Sequence, residues 1–494
     1  MFLWSVLTVS KVIMLSFITF GNPVTSLTKH DLDPLLERLG QANLKFQASY
    51  PGLQMERQPV HTLYGGANLY TPGAAQKMAG LALHHIQTYA PTFVDLANAL
   101  QFPGAGELPV DKYKKQLFAQ DLAQATENSP EIIAYQVYER TLQKLRCEAI
   151  EDHRVDFEDG YGVRSDEEED GHALSASDAM AEGVLQDTLP PFVGLRIKAL
   201  TEEAKIRSLR TLDTFVSNLA SKTNGQIPFP FRVTLPKVTS AEQVEVLADC
   251  LTVIEERCGL PPLSIDIELM IETVQAVLTE TGQCAMPALV EAGKGRVTAA
   301  ILGTFDYTAT CNIAAMHQDH LHPSADFVRQ LMQMSLTGMN VSLSDGITNI
   351  MPIPPHRGKD LTQEELEENI NVVHAAWRVH FRNIIHSLQL GFYQGWDLNP
   401  AQLPIRFAAV YYFFLEGLAE STERLRTFIE QAAQASLVGN TFDDAASAQG
   451  LLNFFISGIN CGALTEDEAL ATGITLDELH GRSFLKIVAN RSRK

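Results

Sequence analysis

Basic residues are scarce in this chain. Its 38 Lys and Arg stand against 59 Asp and Glu, a formal net charge of −21 at pH 7 with His neutral. No Lys/Arg cluster offsets that balance, so phosphate backbones are repelled and nucleic acid is not an expected partner. The same negative surface disfavours anionic membranes, and none is expected as a partner of the mature fold. Cysteine is sparse as well. Six cysteines are scattered over 494 residues with no CxxC pair, which excludes a disulfide scaffold and suits small buried apolar residues in a reducing compartment. No GxGxxG follows the first candidate strand and no P-loop occurs, which argues against a dinucleotide site or a P-loop nucleotide site. There is no internal repeat, and the only low-complexity tract is Glu167–Asp170. Beyond the first twenty residues, no apolar run reaches the roughly 18 residues that a spanning helix needs.

Those first twenty residues, Met1 to Phe20, are strongly apolar. They have the character of a signal peptide, a membrane anchor or a mis-assigned start upstream of Met14. No basic segment precedes the apolar run, Lys11 interrupts it, and no A-x-A site follows. The stretch therefore reads as an extension outside the fold. A cytoplasmic location is expected, with export or anchoring through residues 1–20 as the alternative.

The hydrophobic fraction of 45% is that of a globular protein. At roughly 150 residues per domain the length suggests about three domains, or one large barrel with additions. Leu32, Leu35, Leu36, Leu39 and Leu44 recur at helical spacing between Leu27 and Phe46, and a turn at Pro51-Gly52 ends that segment. After it, short apolar or β-branched runs alternate with helical patterns. The strand candidates are Val60–Tyr64, His153–Glu158, Phe192–Lys198, Phe231–Lys237, Ile265–Glu272, Val297–Gly303, Asn340–Ser344 and Phe392–Asp397. A helix is expected over Ala74–Tyr89, and a helical insertion runs from Pro103-Gly104 to about Ile150. Strands alternating with helices imply parallel βαβ units. Eight of them suggest an α/β fold, a TIM (β/α)8 barrel with a helical insertion before its second strand. A doubly wound sheet is the alternative. After Pro404 the chain reads as helical to its end, including Glu416–Ala435 and Ala445–Ile459. The expected division is an N-terminal extension over 1–57, a barrel over 58–405 and a helical C-terminal cap over 406–494.

A TIM-barrel site lies at the C-terminal ends of the strands. Several of those ends are polar where a buried strand should be apolar: Glu158 and Asp159, Arg196, Lys237, Glu272, and Asp306 just past the sixth strand. Carboxylates converging on one mouth repel one another unless a cation lies between them. Mg²⁺ suits such a set, since it takes oxygen ligands and is commonly held by one or two carboxylates with substrate and water. One Arg beside it completes a clamp for a carboxylate-bearing, enolate-forming substrate. The competing reading is that each acid caps the next helix. Gly65-Gly66, after the first strand, either brings backbone N–H groups to a substrate carboxylate or makes a plain turn. His317, His320 and His322 match no closed zinc site and read as pocket-rim or surface residues, one of them an acid/base group if it faces the mouth. Asp345-Gly346 is a turn or another mouth group. Tyr411 to Phe414 reads as a packing stripe.

At these motifs the chain resembles the HpcH/HpaI aldolase/citrate lyase family, which includes the citrate lyase β subunit and malyl-CoA lyase. The matching runs are Asp156-Phe157-Glu158-Asp159, Leu195-Arg196-Ile197-Lys198, Leu235-Pro236-Lys237-Val238-Thr239-Ser240-Ala241-Glu242, Ile271-Glu272-Thr273 and Gly303-Thr304-Phe305-Asp306. A further likeness runs from Gly391-Phe392 to Asn399-Pro400-Ala401-Gln402. The resemblance spans about Val60 to Leu403 and belongs to a long, divergent branch. It implies a lyase of the pyruvate/phosphoenolpyruvate barrel class that makes or breaks a C–C bond next to a carbonyl through a metal-stabilised enolate. It implies Glu272 and Asp306 as ligands of Mg²⁺ (or Mn²⁺), Arg196 as the enolate clamp, and Glu158 and Asp159 as groups that orient metal-bound water. Arg196, Lys237, Gly65 and Gly66 are the substrate-binding candidates. The expected substrate is a 2-oxo acid, a 3-hydroxy acid or an acyl-CoA thioester, and association into a homo-oligomer is expected. This chain departs from the family in its length, its acidic run and Lys198, where the family has Asn. Two other readings stand beside it: a phosphoenolpyruvate/pyruvate phosphoryl-transfer enzyme on the same barrel, and a catalytically silent binding protein.

Overall fold

The computed structural model describes residues 26–52, 56–108, 129–430, 436–438, 441–443 and 445–491. The apolar stretch 1–20 and the part of the expected helical insertion over 109–128 lie outside the described residues. Two compact units result, one ending at Pro51 and one over Gly52–Lys494. The first carries the helix Lys29–Ser49, opened by Thr28, whose hydroxyl accepts from Asp31 N (3.3 Å) while Asp31 Oδ2 accepts from Thr28 N (2.9 Å). That reciprocal cap satisfies two backbone donors that would otherwise lack partners.

The second unit is built on eight strands: β1 His61–Gly66, β2 Asp152–Asp156, β3 Phe192–Arg196, β4 Phe231–Leu235, β5 Ile265–Ile271, β6 Val297–Leu302, β7 Ser342–Asp345 and β8 Gln394–Asp397. They pair in sequence order, all parallel, and β8 returns to β1 to close the barrel. Closure decides against the doubly wound alternative. Every expected strand is present, and the helix Ala74–Tyr89 has the expected bounds.

Alternation along each strand divides the residues between two environments. In β5, Ile265, Ile267, Leu269 and Ile271 pack outward into a buried apolar layer with the surrounding helices. Asp266, Glu268 and Met270 take the opposite, lumen side. The lumen is unusually polar for this fold, whose barrels are mostly filled by branched apolar side chains. Arg154 donates to both oxygens of Asp152 (2.6 and 2.7 Å), Thr234 Oγ1 donates to Glu268 Oε1 (2.8 Å), and Gln394 Nε2 donates to Thr62 Oγ1 (2.8 Å). The Arg154 guanidinium also lies 3.7 Å from Glu268. This network forms the floor beneath the strand ends.

The chain after Pro404 is not helical throughout. The helix Leu403–Glu430 is followed by a small antiparallel pair, Ser436–Val438 with Thr441–Asp443, and then by four more helices. Leu403–Glu430 packs on Pro130–Glu148 and Gln363–Gln389, and Ala445–Asn460 packs on it in turn. The C-terminal helices thus widen the helical layer beside β1 and β8. Tyr411 and Phe414 are buried in that layer, as a packing stripe should be. Among the described residues no helix is long and apolar enough to cross a membrane.

Candidate active site

Arg196 ends β3 and is only 2% exposed. Its Nε donates to Asp156 Oδ1 (2.7 Å) and its Nη2 to Asp156 Oδ2 (2.6 Å), a bidentate pair across the ends of β2 and β3. Its remaining terminal nitrogen, Nη1, lies 3.3 Å from Glu158 Oε2. The guanidinium carbon is 4.9 Å from the Tyr64 ring centroid and 5.1 Å from that of Trp396, and the two rings are 4.7 Å apart. Rings at that range attract the cation. Burial opposes the Arg196 charge, but the bonded Asp156 carboxylate outweighs it and holds the pKa above the ordinary value.

Asp156 is itself fixed. It accepts from Glu158 N (3.0 Å) and Gly160 N (2.8 Å). A Cβ on Gly160 would fall 2.5 Å from Asp156 Oδ2, so only glycine lets the turn after β2 close on this carboxylate. Lys198, the departure from the family pattern, is a fastening residue: its ammonium binds Phe157 O (2.8 Å) and Glu169 Oε2 (2.6 Å). The acidic run is tied down in the same way, with Asp170 paired to Arg207 and Arg210.

Glu272 follows β5 and is buried. Its Oε1 accepts from the backbone N–H of Lys237 (2.7 Å). Gly303 makes room for it, because a Cβ there would meet Glu272 Oε2 at 2.4 Å. Burial first, and the neighbouring Asp306 second, push the Glu272 carboxyl up to about 7. Asp306, three residues past Gly303, is half-exposed and lies 3.9 Å from the Lys237 ammonium. That ammonium also binds Glu158 Oε1 and Asp159 Oδ2 (3.2 Å). Lys237 holds its backbone at φ +50°, the left-handed region, which costs a non-glycine residue about 1–2 kcal/mol. Strain of that kind concentrates at functional sites.

Five of the residues picked out from sequence therefore converge on one mouth: Arg196 with Glu158, and Asp159 and Asp306 with Lys237. Glu272 adjoins them through the Lys237 backbone. A cavity of about 390 Å³ opens beside them, lined by Tyr64, Asp156, Arg196, Thr304, Asp306 and Trp396 among others. Gly65 and Gly66 do not line it. The space that a Cβ on Gly65 would take is met by His153 Nε2 (3.0 Å), and that on Gly66 by Asn68 Oδ1 and Gly160 O (2.9 Å each). Their lack of side chains serves packing of β1 on β2. His320 is buried with its ring bonded to Ser387 Oγ (3.1 Å) and near Ile347 O (3.2 Å), and His322 caps the helix Pro323–Leu336. Asp345 is buried against Arg329 (2.8 Å). These are fastening contacts behind the mouth.

Sequence reading missed Tyr64, Asp156 and Trp396 as site residues. Aromatics are ordinary in strands, so type alone gives no signal. Parity does: Tyr64 and Trp396 fall on the lumen face at strand ends. Among the described residues, no group of three or more His, Cys, Asp or Glu is arranged to hold a metal ion. After burial, the neighbouring Asp306 adds to the cost of ionising Glu272, and the oxygen-only chemistry of the two carboxylates fits Mg²⁺ completed by substrate and water.

A family model described as "Domain of unknown function (DUF6986)" matches residues 39–487. No curated protein matches the sequence. A citrate lyase structure from Burkholderia xenovorans LB400 is 16% identical with a TM-score of 0.49, covering 68% of this chain and 92% of that one. Protein CitE from Mycobacterium tuberculosis, in complex with magnesium, acetoacetate and coenzyme A, is 16% identical with a TM-score of 0.42, covering 66% and 95%. Haloferax volcanii malate synthase, as a magnesium/glyoxylate complex, is 12% identical with a TM-score of 0.41, covering 88% and 97%.

Proposed function

The chain belongs to the DUF6986 family, and from the site it carries we propose that it is a Mg²⁺-dependent carbon–carbon lyase or aldolase. It acts next to the carbonyl of a small carboxylate-bearing substrate, a 2-oxo or 3-hydroxy acid, or of its acyl thioester. The observation that carries this reading is the fixed Arg196, forked onto Asp156 and flanked by Tyr64 and Trp396, across one cavity from Asp306.

Breaking a bond next to a carbonyl leaves an enolate, and the negative charge on its oxygen must be met where it develops. Arg196 is suited to meet it. Its Nε and Nη2 are committed to Asp156, so Nη1, beside Glu158 Oε2 (3.3 Å), is held in a fixed direction and little reorganisation is needed. Tyr64 and Trp396 pack together beside the guanidinium and shield it on their side, and the Tyr64 hydroxyl is anchored by donating to Glu268 Oε1 (2.9 Å). Burial raises the Tyr64 phenol well above its ordinary value, so it stays protonated and acts as a donor. Glu272 and Asp306 are the residues that would hold Mg²⁺, which supplies Lewis-acid polarisation of the carbonyl when bound. Glu158 and Asp159, which share the Lys237 ammonium with Asp306, would orient water beside them.

Turnover of candidate 2-oxo acids, 3-hydroxy acids and acyl-CoAs should be abolished by EDTA and restored by Mg²⁺. Glu272→Ala should remove it. Unchanged turnover in that variant would overturn the metal assignment.

A further inference from the structure

We propose that Lys237 is a tethered counter-cation: its ammonium holds the carboxylates of the mouth together and must leave them for a divalent ion to enter. The inference rests on the metal reading above and adds a competitor that limits the affinity of the site. The ammonium contacts Glu158, lies 3.2 Å from Asp159 and 3.9 Å from Asp306. Its own backbone N–H donates to Glu272 Oε1 (2.7 Å). One residue thus touches four acids of the mouth, three through its charge and one through its backbone.

Two cations cannot share these oxygens without cost. Like charges a few ångströms apart repel, and more strongly where water is partly excluded. An ion between Glu272 and Asp306 would face the ammonium that now lies beside Asp306. Lysine can yield where a neighbour cannot. Its charge sits on a flexible four-carbon stem, and its side chain is 33% exposed, so a route to solvent is open. Arg196 has no such freedom, being buried and forked onto Asp156. The left-handed backbone at Lys237 keeps the N–H on Glu272 while the side chain swings, so the first ligand stays placed throughout. The observed affinity for metal is then the intrinsic affinity reduced by the fraction of molecules in which the lysine is out.

The test is Mn²⁺ binding to EDTA-treated protein, followed by electron paramagnetic resonance. Lys237→Met should bind at least tenfold more tightly than the natural chain. Lys237→Arg, which keeps the charge, should bind no more tightly than the natural chain. In the unaltered protein, acetylation of Lys237 read by mass spectrometry should speed up several-fold when saturating Mg²⁺ is added. That second measurement decides the matter should Lys237→Met fail to fold. Equal or weaker Mn²⁺ binding in Lys237→Met, or labelling that Mg²⁺ leaves unchanged, overturns the lysine proposal. Binding that Glu272→Gln abolishes but Lys237→Met does not tighten sinks the lysine role while the metal reading stands. No Mn²⁺ binding by any of these proteins sinks both.

Discussion

Arg196 and Asp156 show how much of the site depends on single atoms. Both side chains are nearly inaccessible, and each is the other's main counter-charge. Removing one partner of such a pair leaves a buried charge unmet, at about 3–5 kcal/mol. Asp156→Asn should therefore lower stability by about that much, read as the denaturant midpoint, and should abolish turnover with it. Arg196→Lys keeps the charge but loses the fork. It should retain most of the stability and little of the turnover. Gly303 is a second such position. With an alanine Cβ only 2.4 Å from Glu272 Oε2, Gly303→Ala must push that carboxylate aside. Weaker Mn²⁺ binding with an unchanged circular dichroism spectrum is the expected result.

At the scale of elements, the strands are held in register by acids on the helices as well as by the ladder. Glu255, near the end of the helix Ala241–Cys258, accepts from Arg296 Nη1 and Nη2 (2.7 Å each) and from Ile265 N (3.0 Å). It ties the start of β5 to the residue before β6, and both charges are buried. Glu255→Ala should cost about 3–5 kcal/mol by stranding Arg296. The strands themselves were legible in the sequence, because an outward apolar row such as Ile265, Ile267, Leu269 and Ile271 is a local signal. The ribbon at Ser436–Val438 and Thr441–Asp443 was not, being short and set among helix-forming neighbours.

The whole molecule combines a strongly acidic composition with a charged lumen, and a buried imidazole makes its stability depend on pH. His153 is buried, and burial lowers its imidazole to about 4 against an ordinary value of 6.5. Above pH 6.5 it is neutral folded or unfolded and contributes nothing to the pH dependence. As the pH falls from 6.5 towards 4, the unfolded chain takes up a proton that the folded chain refuses. Stability is lost over that window, by up to about 3 kcal/mol from this residue. Denaturant midpoints between pH 7.5 and 4.5 should fall with decreasing pH, and His153→Asn should make that fall shallower. An unaltered slope in the variant would show that other groups carry it.

The sequence by itself determined the alternation of strands and helices, and with it a parallel α/β fold. It also marked the polar strand ends Glu158, Asp159, Arg196, Lys237, Glu272 and Asp306, because charge at the end of an apolar strand is a local anomaly. Only the tertiary structure decided what those charges do to one another. Asp156 and Arg196 lie 40 residues apart and pair because β2 and β3 are neighbours. Tyr64 and Trp396 come from the first and last strands and meet over Arg196 because the barrel closes. Closure is a long-range property: it turns distant strand ends into one mouth, and no window of sequence contains it.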